Sequence, residues 1–275
     1  MSAQKIDSVT GHRPAQSIRI RGGSGLGDSV YLRPLVDYMA RGPKRVTVMS
    51  YFPDLFIGSK VDVEPFNKSR IDVLAHYAQH RADQSTTQWA DVLHSSGVPA
   101  DLPLRFPWTV RNSALVKMVQ IKAAGRPIVI VHGGRAPFGR TDGVGIEILP
   151  RRVAFESVLV ALRDCFTVRV GKGPQLYPLV ADLDLYERTT VSDLVDLFTA
   201  CAGAVTQCGW PVPLAECFDK PVLGIWSARG LVSTQPIVAL VTPAKILSKP
   251  TSAHVVDDWP AERLAEAVRT FRAGL

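Results

Sequence analysis

Apolar runs about as long as a β-strand alternate along the chain with segments in which apolar residues recur at helical spacing. Strands are predicted at 17–22, 44–52, 60–66, 126–134, 166–173, 185–190, 203–209 and 220–226. Helices are predicted at 28–42, 86–97, 111–125, 150–164, 190–203, 212–219 and 259–274. Two of the helices in the first half run into a glycine, which is a common helix end.

Strands that are apolar along their length, each followed by a helix, indicate parallel sheets covered on both faces. The series starts twice, at 17–22 and again at 126–134, and both opening strands run into glycines. We therefore predict an α/β protein with two doubly wound, Rossmann-like domains and a boundary near 122–126. Such sheets bind ligands beyond the carboxyl ends of their strands, so the predicted site is a cleft between the domains.

Composition favours a globular protein, because 46% of the residues are hydrophobic and 21% are charged. The net charge of +7 raises the local concentration of anions such as nucleotides, phosphorylated sugars, nucleic acid or an acidic membrane face. A basic enzyme without a polyanionic partner is the alternative interpretation of the same charge.

The N-terminal residues lack the apolar core of a signal peptide, and no later apolar run is long enough to span a bilayer. We therefore expect a cytoplasmic protein without stable membrane insertion. The cysteines form no CxxC pair, which indicates buried reduced thiols and no metal site. They are Cys165, Cys201, Cys208 and Cys217.

The first predicted strand leads into the glycine-rich segment GGSGLGD at 22–28. Its glycines do not fit the G-x-G-x-x-G spacing, and the next strand ends in Ser50 and Tyr51 instead of an acid that binds ribose. No Gly-Lys-Ser/Thr follows, so the segment is not a Walker A loop. We therefore predict no nucleotide cofactor.

Asp28 closes this segment, and its carboxylate has two interpretations. It caps the helix that begins there by accepting hydrogen bonds from backbone N–H groups. Alternatively, it is a general base in the cleft, where a bound hydroxyl loses its proton to the carboxylate. Gly25, Gly27 and Ser29 lie beside it in the same loop and are candidate site residues.

Basic and polar residues follow the predicted strands of the second half. Arg135 and Arg140 are candidates for binding a diphosphate, because a guanidinium forks onto two oxygens; two solvated arginines are the alternative. His132, at a strand end, is either a functional residue or a buried, hydrogen-bonded histidine. Lys172 lies between two glycines after the next strand and is a candidate phosphate contact.

The most specific segment is 190–226, in which a helix, a strand, a glycine turn and a second helix follow one another. The strand ends at Gly209 and the second helix begins near Pro211, so its free N–H groups are a candidate seat for a phosphate. Glu216 is a candidate for ribose hydroxyls or else a solvent-facing helix acid. Trp210 covers a base or sugar, or packs in the core.

Three of these segments together resemble the heptosyltransferase-like glycosyltransferases of family nine, as a divergent relative. The first is GLGDSVYLRPLVDYM at 25–39, which resembles the family's N-terminal Gly-Asp loop. The second is VHGG with a following arginine at 131–135, which resembles the opening strand of the second domain. The third is 190–226, which resembles the donor-binding region.

The resemblance implies the GT-B fold, with a Rossmann-like acceptor-binding domain at 1–122 and a nucleotide-sugar-binding domain at 123–258. It also implies that the C-terminal helix, 259–275, packs back on the first domain, and that no metal takes part. In this family Asp28 would be the base that deprotonates the acceptor hydroxyl for inverting transfer, and Gly25, Gly27 and Ser29 would form the loop on the acceptor side. Gly209 would be the glycine of an Asp-Ser/Thr-Gly turn.

The chain departs from the family pattern on the donor side. Gln207 and Cys208 stand where the family has the acid of that turn and the residue after it, and Gln207 is therefore a candidate donor contact. Pro213 stands where the family has a histidine. The family's lysine after the second-domain loop is not at its place, so Arg135 or Arg140 would substitute for it.

We expect a metal-independent hexosyl- or heptosyltransferase that moves a sugar from a nucleotide-sugar to an acceptor hydroxyl. The acceptor is either a lipopolysaccharide-core-like sugar or a hydroxymethylated DNA base; the basic charge favours modified DNA. A nucleotide- or sugar-binding protein that has lost catalysis is an alternative, because the donor-side acid and histidine are missing. A sugar-nucleotide epimerase is a third interpretation. The donor and the oligomeric state are not determined by the sequence.

Overall fold

The structure is a computed structural model that describes residues 17–67, 71–77, 85–134, 149–232, 242–247 and 252–275. Across these residues the chain forms two separate sheets, and the paired strands of each sheet run parallel. The prediction of an α/β protein with two parallel-sheet domains is thus confirmed.

The first sheet has four strands in the order β3-β2-β1-β4. They are β1 (Ser17–Arg21), β2 (Arg45–Ser50), β3 (Asp62–Pro65) and β4 (Val73–Leu74). The second sheet has six strands in the order β10-β9-β8-β5-β6-β7. They are β5 (Ile128–His132), β6 (Phe166–Arg169), β7 (Leu183–Asp184), β8 (Gly203–Gln207), β9 (Val222–Trp226) and β10 (Ala253–Val256).

Helices connect the strands and cover the sheets. They are α1 (Leu26–Met39), α2 (Gln88–Ser96), α3 (Ser113–Ala123), α4 (Arg152–Ala161), α5 (Val191–Ala200), α6 (Pro211–Cys217), α7 (Ala228–Leu231), α8 (Pro243–Ile246) and α9 (Ala261–Arg272). Side chains of Thr87, Asn112 and Thr190 cap α2, α3 and α5 by accepting a backbone N–H three residues on. Among the described helices, none combines the length and the apolar character that crossing a membrane requires.

The periodicity misses β4 and β10 and misplaces β7. β4 and β7 have two residues each, which is too short for an alternating pattern to be visible. β7 lies at Leu183–Asp184, just before the strand predicted at 185–190. Among the described strands, β10 is an edge strand that pairs with β9 alone, and its AHVV sequence contains a histidine. Neighbouring strands, rather than local sequence, therefore define these three elements.

The C-terminal helix packs on the second sheet, so the prediction that it returns to the first domain is wrong. Phe271 of α9 is fully buried, and a Cβ atom built on Gly203 of β8 would lie 3.0 Å from its ring. Arg272 donates a hydrogen bond to the Ala161 carbonyl oxygen (3.2 Å) and forms an ion pair with Asp164. The apolar face of α9 is buried here because it covers β9 and β10.

α3 also packs with the second sheet, although it precedes the boundary predicted near 122–126. Asp196 on α5 is fully buried. Its carboxylate accepts hydrogen bonds from Trp108 Nε1 (2.6 Å) and from the backbone N–H groups of Arg111 (3.0 Å) and Asn112 (2.6 Å). These bonds hold the start of α3 against α5, so the change from one sheet to the other precedes α3.

The two sheets share one hydrophobic cluster, which runs across the interface between them. Phe106 packs edge-on against Phe218, with 5.4 Å between the ring centroids. Arg105 forms an exposed ion pair with Asp219 (3.0 Å). The interface is therefore apolar inside and polar at its rim.

A second connection between the domains comes from the segment between β9 and β10. Lys245 on α8 is fully buried, and its Nζ donates hydrogen bonds to Asp91 Oδ2 (2.9 Å) and Thr86 Oγ1 (2.9 Å). Thr86 Oγ1 in turn donates to Asp91 Oδ1 (2.9 Å). Both charges are removed from water, so each depends on the other for its stabilisation. We call this contact the Lys245–Asp91 clamp.

Replacing Lys245 with Met should lower the free energy of unfolding by about 3–5 kcal/mol, because Asp91 is left charged and buried. The double variant Lys245→Met/Asp91→Leu removes both charges and should recover most of that loss. Urea unfolding followed by tryptophan fluorescence measures both effects.

The exposed pair between Arg45 and Asp62 provides a matched control for removing one cation. Arg45→Met should leave the urea midpoint nearly unchanged, since water already solvates both groups. A Lys245→Met midpoint equal to that of Arg45→Met would contradict the clamp.

Candidate functional site

The two domains meet where two helices begin. A Cβ atom built on Gly27, in the first turn of α1, would lie 3.4 Å from the Cα atom of Trp210, which immediately precedes α6. This contact joins the loop after β1 to the loop after β8, and both loops lie at the carboxyl ends of parallel strands. The two predicted halves of the site therefore meet here.

The carboxylate of Asp28 turns back over the glycine loop that precedes it. The Gly25 N–H donates to Asp28 Oδ2 at 2.8 Å, which is the carboxylate half of a capping box at the start of α1; glycine has no side chain to make the other half. A Cβ atom on Gly23 would lie 2.5–2.7 Å from the carboxyl atoms of Asp28, closer than real side chains come. The glycines of this loop thus make room for the carboxylate itself.

The environment of Asp28 suits a proton acceptor. Burial raises the pKa of Asp28 above 3.8, and hydrogen bonds from the Gly25 N–H and the Tyr77 hydroxyl offset part of that rise. Burial and the charge of Asp28 raise the pKa of Tyr77 well above 10.0. The phenol therefore stays protonated, and its O–H donates a hydrogen bond to the Asp28 carboxylate. A carboxylate with a raised pKa is a stronger base than an exposed one. The capping and general-base interpretations of Asp28 are therefore compatible.

Sequence reasoning did not identify Tyr77, which lies three residues after β4. It packs edge-on against Tyr31 (6.1 Å between centroids), and Tyr31 stacks on Trp89 (6.0 Å). Burial and the nearby Glu216 raise the pKa of Tyr31. Glu216 therefore lies close to α1 in the domain interface and is itself buried, so it is not a solvent-facing acid. The sequence carries no signal for Tyr77, because the two-residue β4 that precedes it leaves no visible pattern.

Ser29 is a structural residue rather than part of an open acceptor loop. It is 1% exposed, and its hydroxyl lies 2.9 Å from that of Ser50 at the end of β2. Ser50 Oγ also accepts the N–H of Phe52. The Ser29–Ser50 hydrogen bond therefore fixes the start of α1 to the end of β2, whereas Gly25 is exposed beside it.

His132 and Trp210 lie together at the carboxyl edge of the second sheet. His132 is the last residue of β5, is 3% exposed, and its Nδ1 lies 3.2 Å from Thr206 Oγ1. Its ring packs edge-on against the Trp210 indole (5.2 Å), which also packs edge-on against Phe198 (5.9 Å). Trp210 thus connects the site to the core, and His132 is buried and lies within hydrogen-bonding distance of Thr206.

The start of α6 does not offer the free N–H groups that were predicted for a phosphate. Pro211 and Pro213 have no N–H, and the Val212 N–H donates to the Gly209 carbonyl (3.2 Å). The Leu214 N–H donates to the Trp210 carbonyl (3.3 Å). That prediction is therefore wrong, and the P-V-P sequence already carried the signal, because proline supplies no donor.

Gly209 and Gln207 shape the turn that leads into α6. Gly209 has a φ of +148°, a conformation that favours glycine, although a Cβ atom there would meet nothing nearer than 3.8 Å. The backbone, rather than lack of space, therefore requires the glycine. Gln207 is the last residue of β8 and is 1% exposed, so its side chain is enclosed by the protein.

Lys172 is exposed on the loop after β6, two strands away from β8 in the second sheet. Tyr186 supports this loop, because its hydroxyl donates to the Gly173 carbonyl at 2.6 Å. Lys172 is thus placed to reach an anion along the same edge as His132. Arg135 and Arg140 lie outside the described residues.

The four cysteines are reduced and buried, as predicted. Burial raises the pKa of both Cys201 and Cys208 to about 12, so these thiols are protonated at neutral pH. Within the described ranges, no three His, Cys, Asp or Glu side chains are grouped as metal ligands would be.

Comparison with known proteins identifies the fold. No protein-family model matches the chain, and no curated protein sequence matches it. A glycosyl transferase family 9 structure from Veillonella parvula aligns with a TM-score of 0.58 at 10% identity, over 94% of this chain and 98% of that one. The E. coli ADP-heptose lipopolysaccharide heptosyltransferase II aligns with a TM-score of 0.53 at 13% identity, over 94% and 100%.

The E. coli heptosyltransferase WaaC, solved with ADP, aligns with a TM-score of 0.51 at 12% identity, again over 94% of this chain and 100% of that one. All three alignments span both sheets of this chain. The chain therefore has the GT-B fold, which it shares with these glycosyl transferase family 9 and heptosyltransferase structures.

Replacing Tyr77 with Phe should raise the pKa of Asp28 further, because one hydrogen bond to the charged carboxylate is lost while burial remains. Titration of the Asp28 carboxyl carbon by carbon-13 NMR measures this shift without requiring any activity.

Tyr177→Phe is a matched control, since the Tyr177 hydroxyl donates to the Pro150 carbonyl in the second domain. That variant should leave the Asp28 titration unchanged. An unshifted Asp28 in Tyr77→Phe would refute the role assigned to the Tyr77 hydroxyl.

Proposed function

We propose that the protein is a metal-independent, inverting glycosyltransferase that moves a sugar from a nucleotide-sugar to an acceptor hydroxyl. The observation that carries this proposal is the position of Asp28. Its carboxylate has a raised pKa, and the residue directly follows Gly27, whose backbone lies against Trp210 of the second domain. The GT-B fold, whose solved relatives include glycosyltransferases, supports the reaction class.

In the proposed reaction, the acceptor hydroxyl transfers its proton to the carboxylate of Asp28 as its oxygen bonds to the anomeric carbon of the donor. The bond from that carbon to the nucleoside diphosphate breaks, and the diphosphate leaves with the electron pair on the opposite face. One displacement of this kind inverts the configuration. Binding both substrates between the domains supplies the orientation that the displacement needs.

The departing diphosphate gains negative charge that must be stabilised. We assign this role to Lys172, which is exposed at the carboxyl edge of the second sheet. On the basis of the sequence, we also assign the stabilisation of the diphosphate to Arg135 and Arg140. Because two prolines remove donors from the start of α6, basic side chains carry more of the task here than backbone N–H groups do.

A nucleotide- or sugar-binding protein without catalysis is the second candidate. It is favoured by the donor side, where Gln207 is enclosed at the end of β8 and Pro213 lacks an N–H. The absence of transfer by the wild-type protein across a broad panel of nucleotide-sugars and acceptors would favour this candidate.

Replacing Asp28 with Asn should lower the rate of transfer by about 10²–10⁴-fold, the contribution typical of a general base. Nucleotide binding, measured by isothermal titration calorimetry, should stay near the wild-type affinity. Mass spectrometry of the acceptor detects the transfer as a gain of one sugar mass.

Stability separates a chemical role from a folding defect in this variant. Because burial raises the pKa of Asp28, its contribution to stability is complete below pH 3.8 and is lost as the pH rises through the folded-state pKa. At neutral pH the neutral Asn should therefore fold at least as stably as the charged Asp. A stable Asp28→Asn protein with undiminished transfer would refute the assignment of the base.

A further inference from the structure

Three side chains stack at the carboxyl edge of the first sheet. Arg21 ends β1, Tyr51 follows β2 and Phe66 follows β3. The rings of Tyr51 and Phe66 are stacked, with centroids 4.6 Å apart and planes 24° from parallel. The guanidinium carbon of Arg21 lies 5.4 Å from the Phe66 centroid. We call Tyr51, Phe66 and Arg21 the Tyr51 platform.

The Tyr51 platform does not contribute to either hydrophobic core. Tyr51 is 60% exposed, and neither Tyr51 nor Phe66 belongs to the buried clusters of the described residues or packs against them. Exposing a large aromatic ring forgoes the free energy that its burial would give. An exposed ring stacked on a half-buried one at a ligand-binding edge is therefore typical of a contact surface.

The platform adjoins the loop that carries Asp28. Arg21 leads directly into the glycine loop. Tyr51 follows Ser50, whose hydroxyl is 2.9 Å from that of Ser29, the residue after Asp28. The Ser29–Ser50 hydrogen bond thus fixes the backbone of the platform relative to the candidate base. A molecule that contacts the platform lies on the same edge of the sheet as the carboxylate.

We propose that the Tyr51 platform binds an unpaired nucleobase of a single-stranded DNA acceptor, an inference that rests on the proposed function. A base presents a flat π-face that extends the existing stack of two rings. An enzyme that modifies a base needs it outside the duplex, where such a face is accessible. The Arg21 cation and the net charge of +7 complement the phosphates, whereas an uncharged saccharide gains nothing from them.

The test measures binding of a fluorescein-labelled, single-stranded oligodeoxynucleotide of about 12 nucleotides, within the usual site sizes of such proteins. Fluorescence anisotropy in the absence of any nucleotide-sugar gives Kd for each variant. Tyr51→Ala should raise Kd about 5- to 100-fold, the effect of losing one base–aromatic stack. Tyr51→Phe keeps the ring and should stay near the wild-type value.

Ile121→Ala is the matched control for losing exposed apolar surface, because Ile121 is 68% exposed on α3 of the other domain. It should leave Kd unchanged. Raising the salt concentration should weaken the wild type and Tyr51→Ala with the same slope, since the ring contacts no phosphate. Equal Kd values for wild type and Tyr51→Ala, or no binding of the oligonucleotide, would overturn the proposal.

Binding of a core oligosaccharide, measured by calorimetry on the same variants, tests the other acceptor class. Loss of saccharide binding in Tyr51→Ala with unchanged oligonucleotide binding would also overturn the inference. The outcome is separable from the proposed function, because no assay here requires turnover. A protein that binds DNA through Tyr51 but transfers no sugar would refute the transferase alone.

Discussion

The contact between the starts of α1 and α6 is the constraint on which the site depends. Parallel sheets place their loops at one edge, and the two sheets of this chain bring those edges together at Gly27 and Trp210. A Cβ atom at position 27 would already be in van der Waals contact with the backbone of Trp210, so side chains larger than that of alanine would meet it. The separation of the first-domain carboxylate from the second-domain edge is therefore set by backbone packing, rather than by flexible side chains.

Asp28 shows how one carboxylate serves both structure and chemistry. Its hydrogen bond to the Gly25 N–H closes the first turn of α1, and its burial beside Tyr77 gives it a raised pKa. A helix cap holds a side chain in a single place, which is also what a base needs. The same geometry that stabilises the helix thus pre-positions the proton acceptor.

The periodic pattern predicted most of the strands and helices, because the spacing of apolar residues in an apolar strand or an amphipathic helix is visible within the element's own sequence. It could not predict β4 or the packing of α9, since both are decided by neighbours distant in sequence. In the site, Asp28 and Gly209 followed from local motifs. Tyr77 and the enclosure of Glu216 did not, because they arise where α1, β4 and α6 converge.

The Lys245–Asp91 clamp limits how the two domains can move relative to each other. The chain passes from the first sheet to the second before α3. The clamp connects the two domains a second time, through the segment between β9 and β10. A single covalent linker would permit twisting, bending and sliding. Together with the hydrophobic cluster that runs across the interface, this second tie leaves the domains mainly a rotation about the line that joins the chain crossing to the clamp. Substrate entry and product exit would then follow mainly one hinge rotation, with its amplitude limited by a buried ion pair between α2 and α8.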